Sequence, residues 1–154
     1  MNKRHAAGFT LIEVMIVVVI IMIIAAFVYP NYRDYVRQAR RSDAQSALLR
    51  WAALQEKFYS DCRTYTTTLT GDPADCSGLG IGANPPSPEG HYTGSVQAGT
   101  IDGSCATIDC GFTMVATPVA GGPQDGDGAL RIDSVGRQQW NRNDEGTWVS
   151  WNTK

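Results

Sequence analysis

Charge is nearly absent from the twenty residues Phe9–Val28, where Glu13 stands alone. A run that poor in charge is not built for water: as a helix rising about 1.5 Å per residue it spans a ~30 Å hydrocarbon core. Val, Ile and Thr dominate it and would favour a strand in water, but in lipid a lone segment satisfies its backbone only as a helix. Cysteine is absent before Asp61. The four that follow, Cys62, Cys76, Cys105 and Cys110, are an even number that fits disulfides in an oxidising space outside the cytoplasm. A basic excess is absent too, with 13 basic against 15 acidic residues for a net charge of −2, which is not the footprint of a general nucleic-acid binder. Histidine is scarce, with His5 and His91 only. No Ser, His and acid set, nucleophile elbow or phosphate loop is legible, so no residue is assigned a catalytic role and no cofactor is expected.

What is present begins with the order of the amino-terminal signals. A secretory signal peptide places its small-residue cleavage site after the apolar stretch. Here Lys3, Arg4 and His5 lead into Ala6-Ala7-Gly8, and the apolar run follows. A cut at that place removes the charges and keeps the hydrophobe.

Gly8-Phe9-Thr10-Leu11-Ile12-Glu13 at the head of an apolar run that ends in Tyr29-Pro30 resembles the leader and first turns of type IV pilins. Gly8, Phe9, Thr10 and Glu13 stand where that family has them, and Pro30 matches the proline that follows its span. The resemblance implies a prepilin peptidase that cuts between Gly8 and Phe9 and methylates the new Phe9 amino group. It implies an assembly role for Glu13 and Thr10, with Glu13 meeting the Phe9 amine of a neighbouring subunit. A carboxylate in lipid costs about 2.5–3.5 kcal/mol at mid-span and less near the end, so Glu13 calls for such a partner. One departure is Met22, where many pilins have a helix-loosening Gly. Removing residues 1–8 takes away Lys3 and Arg4, leaving 11 basic against 15 acidic residues, a charge of −4 before the new amino terminus is counted.

The positive-inside rule disagrees with the orientation these signals imply, since Arg33, Arg37, Arg40 and Arg41 follow the span and only two basic residues precede it. The cysteines and the leader outweigh it and put the domain outside. The resemblance then implies contact between these arginines and lipid phosphates of the outer leaflet.

Taken in order, the chain divides into a leader (1–8), a membrane-spanning or filament-core helix (9–29), the second half of that helix (30–60), a disulfide-stapled loop (61–90), and an antiparallel sheet with a carboxyl-terminal tail (91–154). Ala44, Leu48, Trp51, Leu54 or Gln55, and Phe58 recur at three- or four-residue steps, the mark of a helix with one face on a core. Pro30 removes a backbone donor and should bend the helix. Strand signals cover Tyr92–Ala98, Phe112–Thr117, Ala129–Asp133 and Arg137–Asn141, with Ser134-Val135-Gly136 as a hairpin turn. The tail Thr147–Trp151 either adds an edge strand or packs beneath the sheet. The expected fold is α+β, a long amino-terminal helix laid on a four-stranded antiparallel sheet, which is also the arrangement of type IV pilins.

Four cysteines allow three connectivities, and proximity favours Cys62–Cys76 and Cys105–Cys110. Asp125-Gly126-Asp127-Gly128, with Asp133 beyond, has the alternating oxygens of a Ca²⁺ loop but lacks its bidentate Glu, and reads better as a Gly-rich hairpin turn, so no metal is assigned. The expectation is a structural, minor-type pilus subunit in a filament for motility, adhesion or DNA uptake. A type II secretion pseudopilin is the alternative. Expected partners are other pilin subunits, the prepilin peptidase, the inner-membrane assembly platform and the inner membrane itself, with a tip adhesin as a further candidate. DNA is left open, because the sequence displays no basic or aromatic surface strip. The chain should sit in the inner membrane with its domain in the periplasm, then in a cell-surface pilus.

Overall fold

The computed structural model describes residues 9–151, so the leader, Gly8 included, lies outside the described residues. The chain falls into two compact units, residues 1–36 and 37–154. Helix α1, Leu11–Cys62, contributes to both.

In the first unit the helix begins at Leu11 rather than at Phe9, because Thr10 caps it. The Thr10 hydroxyl accepts the N–H of Glu13 at 3.3 Å, and its carbonyl accepts that of Val14 at 3.3 Å. A capping hydroxyl satisfies one of the four orphan donors of a helix start, and Glu13 lies in the first turn, where the helix dipole favours an acid. From Leu11 to Tyr29 every side chain is exposed. Even Val18, the most covered large hydrophobe, is 42% exposed.

In the second unit α1 lies on a five-stranded antiparallel sheet in the order β1 (Tyr92–Ala98), β2 (Phe112–Pro118), β3 (Leu130–Asp133), β4 (Gln138–Asn141), β5 (Trp148–Ser150). The first four strands lie where the alternation of apolar and polar residues puts them. The count of four is corrected to five: the tail is an edge strand, pairing Ser150 with Gln139, Val149 with Trp140 and Trp148 with Asn141. Three residues are too few to display a period of two, so the sequence left the tail open between an edge strand and a segment beneath the sheet, and the first of these is found.

Register then sorts the sheet into two faces. Val96 pairs with Met114, Met114 with Ile132, Ala116 with Leu130, Leu130 with Trp140, and Trp140 with Val149, one continuous apolar face. Ala44, Ala47, Leu48, Trp51 and Phe58 of α1 are buried with it in a single core. Full burial of a side chain such as Leu48 or Phe58 contributes roughly 1.5–3 kcal/mol. Of the two candidates for the fourth helical position, Gln55 is the buried one. It donates to the carbonyl of Thr66 at 2.6 Å and accepts the N–H of Thr66 at 3.1 Å, so a polar side chain in the core has its main-chain partner. Gly94 allows the close approach of helix and sheet, since a Cβ there would stand 2.7 Å from the Trp51 ring.

The segment after α1 is less polar in function than in composition. Leu69 and Leu79 are buried in the core, and main-chain bonds from Leu79 N–H to Thr68 and from Ile81 N–H to Leu69 join the two parts of the loop to each other. Its last part covers the edge of β1, with a bridge between Pro86 and Thr93. β5 is the other edge strand of the sheet.

Candidate functional site

The amino-terminal residues singled out by sequence share the start of α1. Phe9 is 84% exposed, Thr10 is bound to the Glu13 amide, and among the described residues no hydrogen bond or ion pair holds the Glu13 carboxylate. Pro30 stands within α1, whose assignment runs through it. Among the described residues the helix start therefore offers an acid without a partner, a capping hydroxyl and an exposed surface of Val, Ile, Leu and Met.

The second unit is held by a polar cluster that the sequence did not display. The Nε of Arg41 donates to Asp127 Oδ2 at 2.7 Å, and its guanidinium lies 3.9 Å over the Trp140 ring. Tyr92 donates its hydroxyl to the same carboxylate oxygen at 3.2 Å, and Gln124 donates to the Tyr92 oxygen at 3.0 Å and to the Arg37 carbonyl at 3.2 Å. The Trp140 indole N–H donates to the Asp127 carbonyl at 2.8 Å. Burial pushes the Tyr92 phenol well above its ordinary pKa, and the Asp127 charge adds to the shift while the Gln124 bond opposes it. Asp127 is 1% exposed and faces inward, whereas Asp125 accepts the Gly121 N–H at 2.9 Å. The two acids thus serve different protein partners, and residues 119–129 form the connection between paired strands β2 and β3.

Both disulfides join neighbours in sequence. Cys62 bonds Cys76 and Cys105 bonds Cys110, each pair with Cα atoms 5.8 Å apart. The stapled loops meet where Thr64 donates to Asp109 at 3.3 Å. The second loop is also tied to the β3–β4 turn. Arg137 pairs with Asp102, and Asp133 accepts the N–H groups of Ile101, Val135 and Arg137. Arg137 first, and then Ser104, hold the Asp102 carboxyl well below the usual carboxylate range. The turn itself is the Ser134-Val135-Gly136 segment, with Gly136 at φ 83°. Beside the first loop, burial and then the Glu56 charge push the Tyr65 phenol up to about 12.

The face of the sheet away from α1 carries one row of register partners, Ser95, Val115, Arg131, Gln139 and Ser150. Arg131 donates through Nε and Nη2 to Gln139 Oε1 at 3.0 and 2.6 Å and lies 3.6 Å over the ring of Trp148. Trp151 fastens the same strand, its indole N–H donating to the Gln139 carbonyl at 2.8 Å. No local signal in the sequence joins residues 131, 139 and 148; only strand pairing does.

Comparison with known proteins bears on both regions. Residues 30–129 match a family model described as type IV minor pilin ComP, DNA uptake sequence receptor, and residues 3–29 match the prokaryotic N-terminal methylation motif. The chain is 36% identical over 124 residues to the fimbrial protein EcpC of Eikenella corrodens, covering 80% of this chain and 72% of that one. It is 32% identical over 158 residues to the type IV major fimbrial protein FimA of Dichelobacter nodosus, covering 96% and 88%. It is also 37% identical over 71 residues to the type II secretion system core protein G of Aeromonas hydrophila, there covering only 46% of this chain and 50% of that protein.

Proposed function

Because the chain belongs to the type IV pilin family, we propose that it is made as a membrane-held precursor, cut between Gly8 and Phe9, methylated on Phe9, and drawn into a filament as a minor subunit. The observation that carries this reading is the helix start: the most apolar eighteen-residue stretch of α1 has none of its residues buried. Such a surface requires lipid or other copies of itself. Moving it from lipid into a filament core exchanges one apolar environment for another, so the transfer is nearly balanced and can be driven either way by an assembly motor. Glu13 supplies direction. Its carboxylate is costly in lipid and finds a cation only in the Phe9 amine created by cleavage.

The partners on this reading are neighbouring pilin subunits, the prepilin peptidase and the inner-membrane assembly platform. The domain waits in the periplasm, where its disulfides persist, and reaches the cell surface in the pilus. The family description supports a further role in DNA uptake. With a mature charge of −4 the chain lacks diffuse attraction for DNA, so any contact has to be local.

A test is mass spectrometry of the chain recovered from sheared filaments. A methylated amino-terminal Phe9 is expected, and recovery of Met1 in filaments would refute the processing step. The type II secretion relative supports a pseudopilin as second reading. That reading gains if the chain is lost from surface filaments only when secretion components are deleted, and fails if loss follows the pilus assembly platform.

A further inference from the structure

The outer face of the sheet holds a cation that forms no ion pair among the described residues. Arg41 is paired with Asp127, and Arg137 with Asp102 and Asp133, whereas among the described residues Arg131 forms no ion pair: it donates to the neutral Gln139 oxygen, lies on the face of Trp148, and feels Asp133 only through space. Stacking fixes the plane of the guanidinium, and with Nε and Nη2 engaged, Nη1 keeps its donors. The Gln139 amide nitrogen, one strand over in the same row, has no partner among the described residues. The other members of the row, Ser95, Val115 and Ser150, are uncharged. Asp133, two residues along β3, is 2% exposed and occupied by three main-chain N–H groups and Arg137. The row therefore presents planar donors and a positive charge without an ion-pair partner, on a fixed aromatic support, in a chain that is acidic overall. Fixed donors on such a guanidinium complement the oxygens of a phosphodiester.

We infer that Arg131, held by Trp148 and Gln139 on the outer face of β3–β5, contacts the phosphate backbone of DNA. This rests on the DNA-uptake role proposed above. All three residues lie beyond residue 129, where the match to the DNA-uptake receptor family ends, so it is the geometry of this chain that assigns them. A phosphate contact positions DNA without reading it, so the contribution is the same for every sequence.

The experiment is a salt series of fluorescence anisotropy with two labelled DNA duplexes of unrelated sequence, using the full-length chain in detergent. Arg131→Gln is expected to weaken binding of both duplexes about five- to tenfold and to lower the slope of log K against log salt by about one. Arg131→Lys keeps the slope and loses less. Lys57→Gln, at an exposed position on α1, binds like the parent. Near-ultraviolet circular dichroism and the thermal midpoint verify that each variant folds. If the parent binds DNA and Arg131→Gln binds equally well, the assignment to this face fails while the DNA-uptake role stands. Equal losses in Lys57→Gln would mean diffuse attraction and would also overturn the assignment. A parent that binds neither duplex removes the DNA-uptake role and this inference with it.

Discussion

Helix α1 uses apolar residues in opposite ways in the two units it serves. From Leu11 to Tyr29 they occupy every side of the helix and none is buried; between Ala44 and Phe58 a single stripe, Ala44, Ala47, Leu48, Trp51 and Phe58, is buried while Leu49 and Ala53 stay exposed. A stripe is satisfied by one sheet, and the chain supplies that sheet. An all-round surface needs cover on every side, which the described residues do not supply. On the proposed reading the first unit is completed by partners, while the second completes itself. The difference is testable by damaging each side and asking whether folding or assembly responds.

The largest expected effect comes from the centre of the self-contained unit. Asp127→Asn removes the charge that Arg41 and Tyr92 face from within a nearly dry site, and breaking a buried pair from one side costs about 3–5 kcal/mol. The Arg41 side chain keeps 22% exposure, so the lower end is expected. Urea unfolding of the detergent-solubilised chain, followed through Trp fluorescence, should show the drop. A midpoint equal to the parent's would mean that the core alone holds helix and sheet together.

Next come the staples. Replacing Cys62 and Cys76 by Ser opens a 15-residue loop and should cost about 3 kcal/mol in the chain-entropy model, against about 2 for Cys105 and Cys110. Burial of Leu69 and Leu79 inside the first loop reduces its loss, so the two double variants should lie closer together than loop length alone implies. Thermal midpoints measured side by side decide the order.

A smaller effect concerns acid. The Asp102 carboxyl is held below its ordinary range by Arg137, so it stays ionised in the folded chain at a pH where an unfolded Asp takes up a proton. Its contribution is present above about pH 4 and is lost as pH falls through the lowered folded value. Asp102→Asn should therefore unfold earlier than the parent at neutral pH, and the gap should narrow progressively below pH ~4. The ion pair is solvent-exposed, so added salt should narrow the gap as well.

Local signals account for much of this structure. Period-two alternation in Phe112–Ala116 and Leu130–Asp133, the glycine after Ser134-Val135, the helical stripe at 44–58 and the nearness of each cysteine to its partner all act within a few residues of themselves. The features that escaped are those whose parts meet only after folding. Arg41 and Asp127 are 86 positions apart, and each alone reads as a solvated charge. Gln55 sits in the stripe as a polar misfit until Thr66 brings its main chain round. The meeting of Arg131 and Gln139 with Trp148 depends on the tail pairing as a fifth strand, which its three residues left open in the sequence. At the amino terminus the situation is reversed. The sequence states the whole pattern from Gly8 to Glu13, and among the described residues nothing partners the carboxylate.

The smallest expected effect on the fold belongs to Glu13→Ala, and it is the sharpest test of the contrast between the units. Since no described residue holds the Glu13 carboxylate, its loss should leave the urea midpoint of the second unit unchanged and should not impair membrane insertion, because a carboxylate is costly in lipid. Only assembly should fail, with the variant present in membranes at the parent's level and depleted from sheared filaments. Glu13→Gln should behave like Ala, since it keeps size and loses charge, while Glu13→Asp should retain part of the incorporation on a shorter arm. Thr10→Ala provides the control for helix start: it removes the hydroxyl that caps Glu13 and should fray the first turn by about 1 kcal/mol without removing the charge. Depletion of Glu13→Ala from filaments with a parent-like Thr10→Ala would assign the effect to the carboxylate. Equal depletion of both would assign it to the helix start instead, and undiminished incorporation of Glu13→Ala would show that the apolar surface finds its partners without help from this charge.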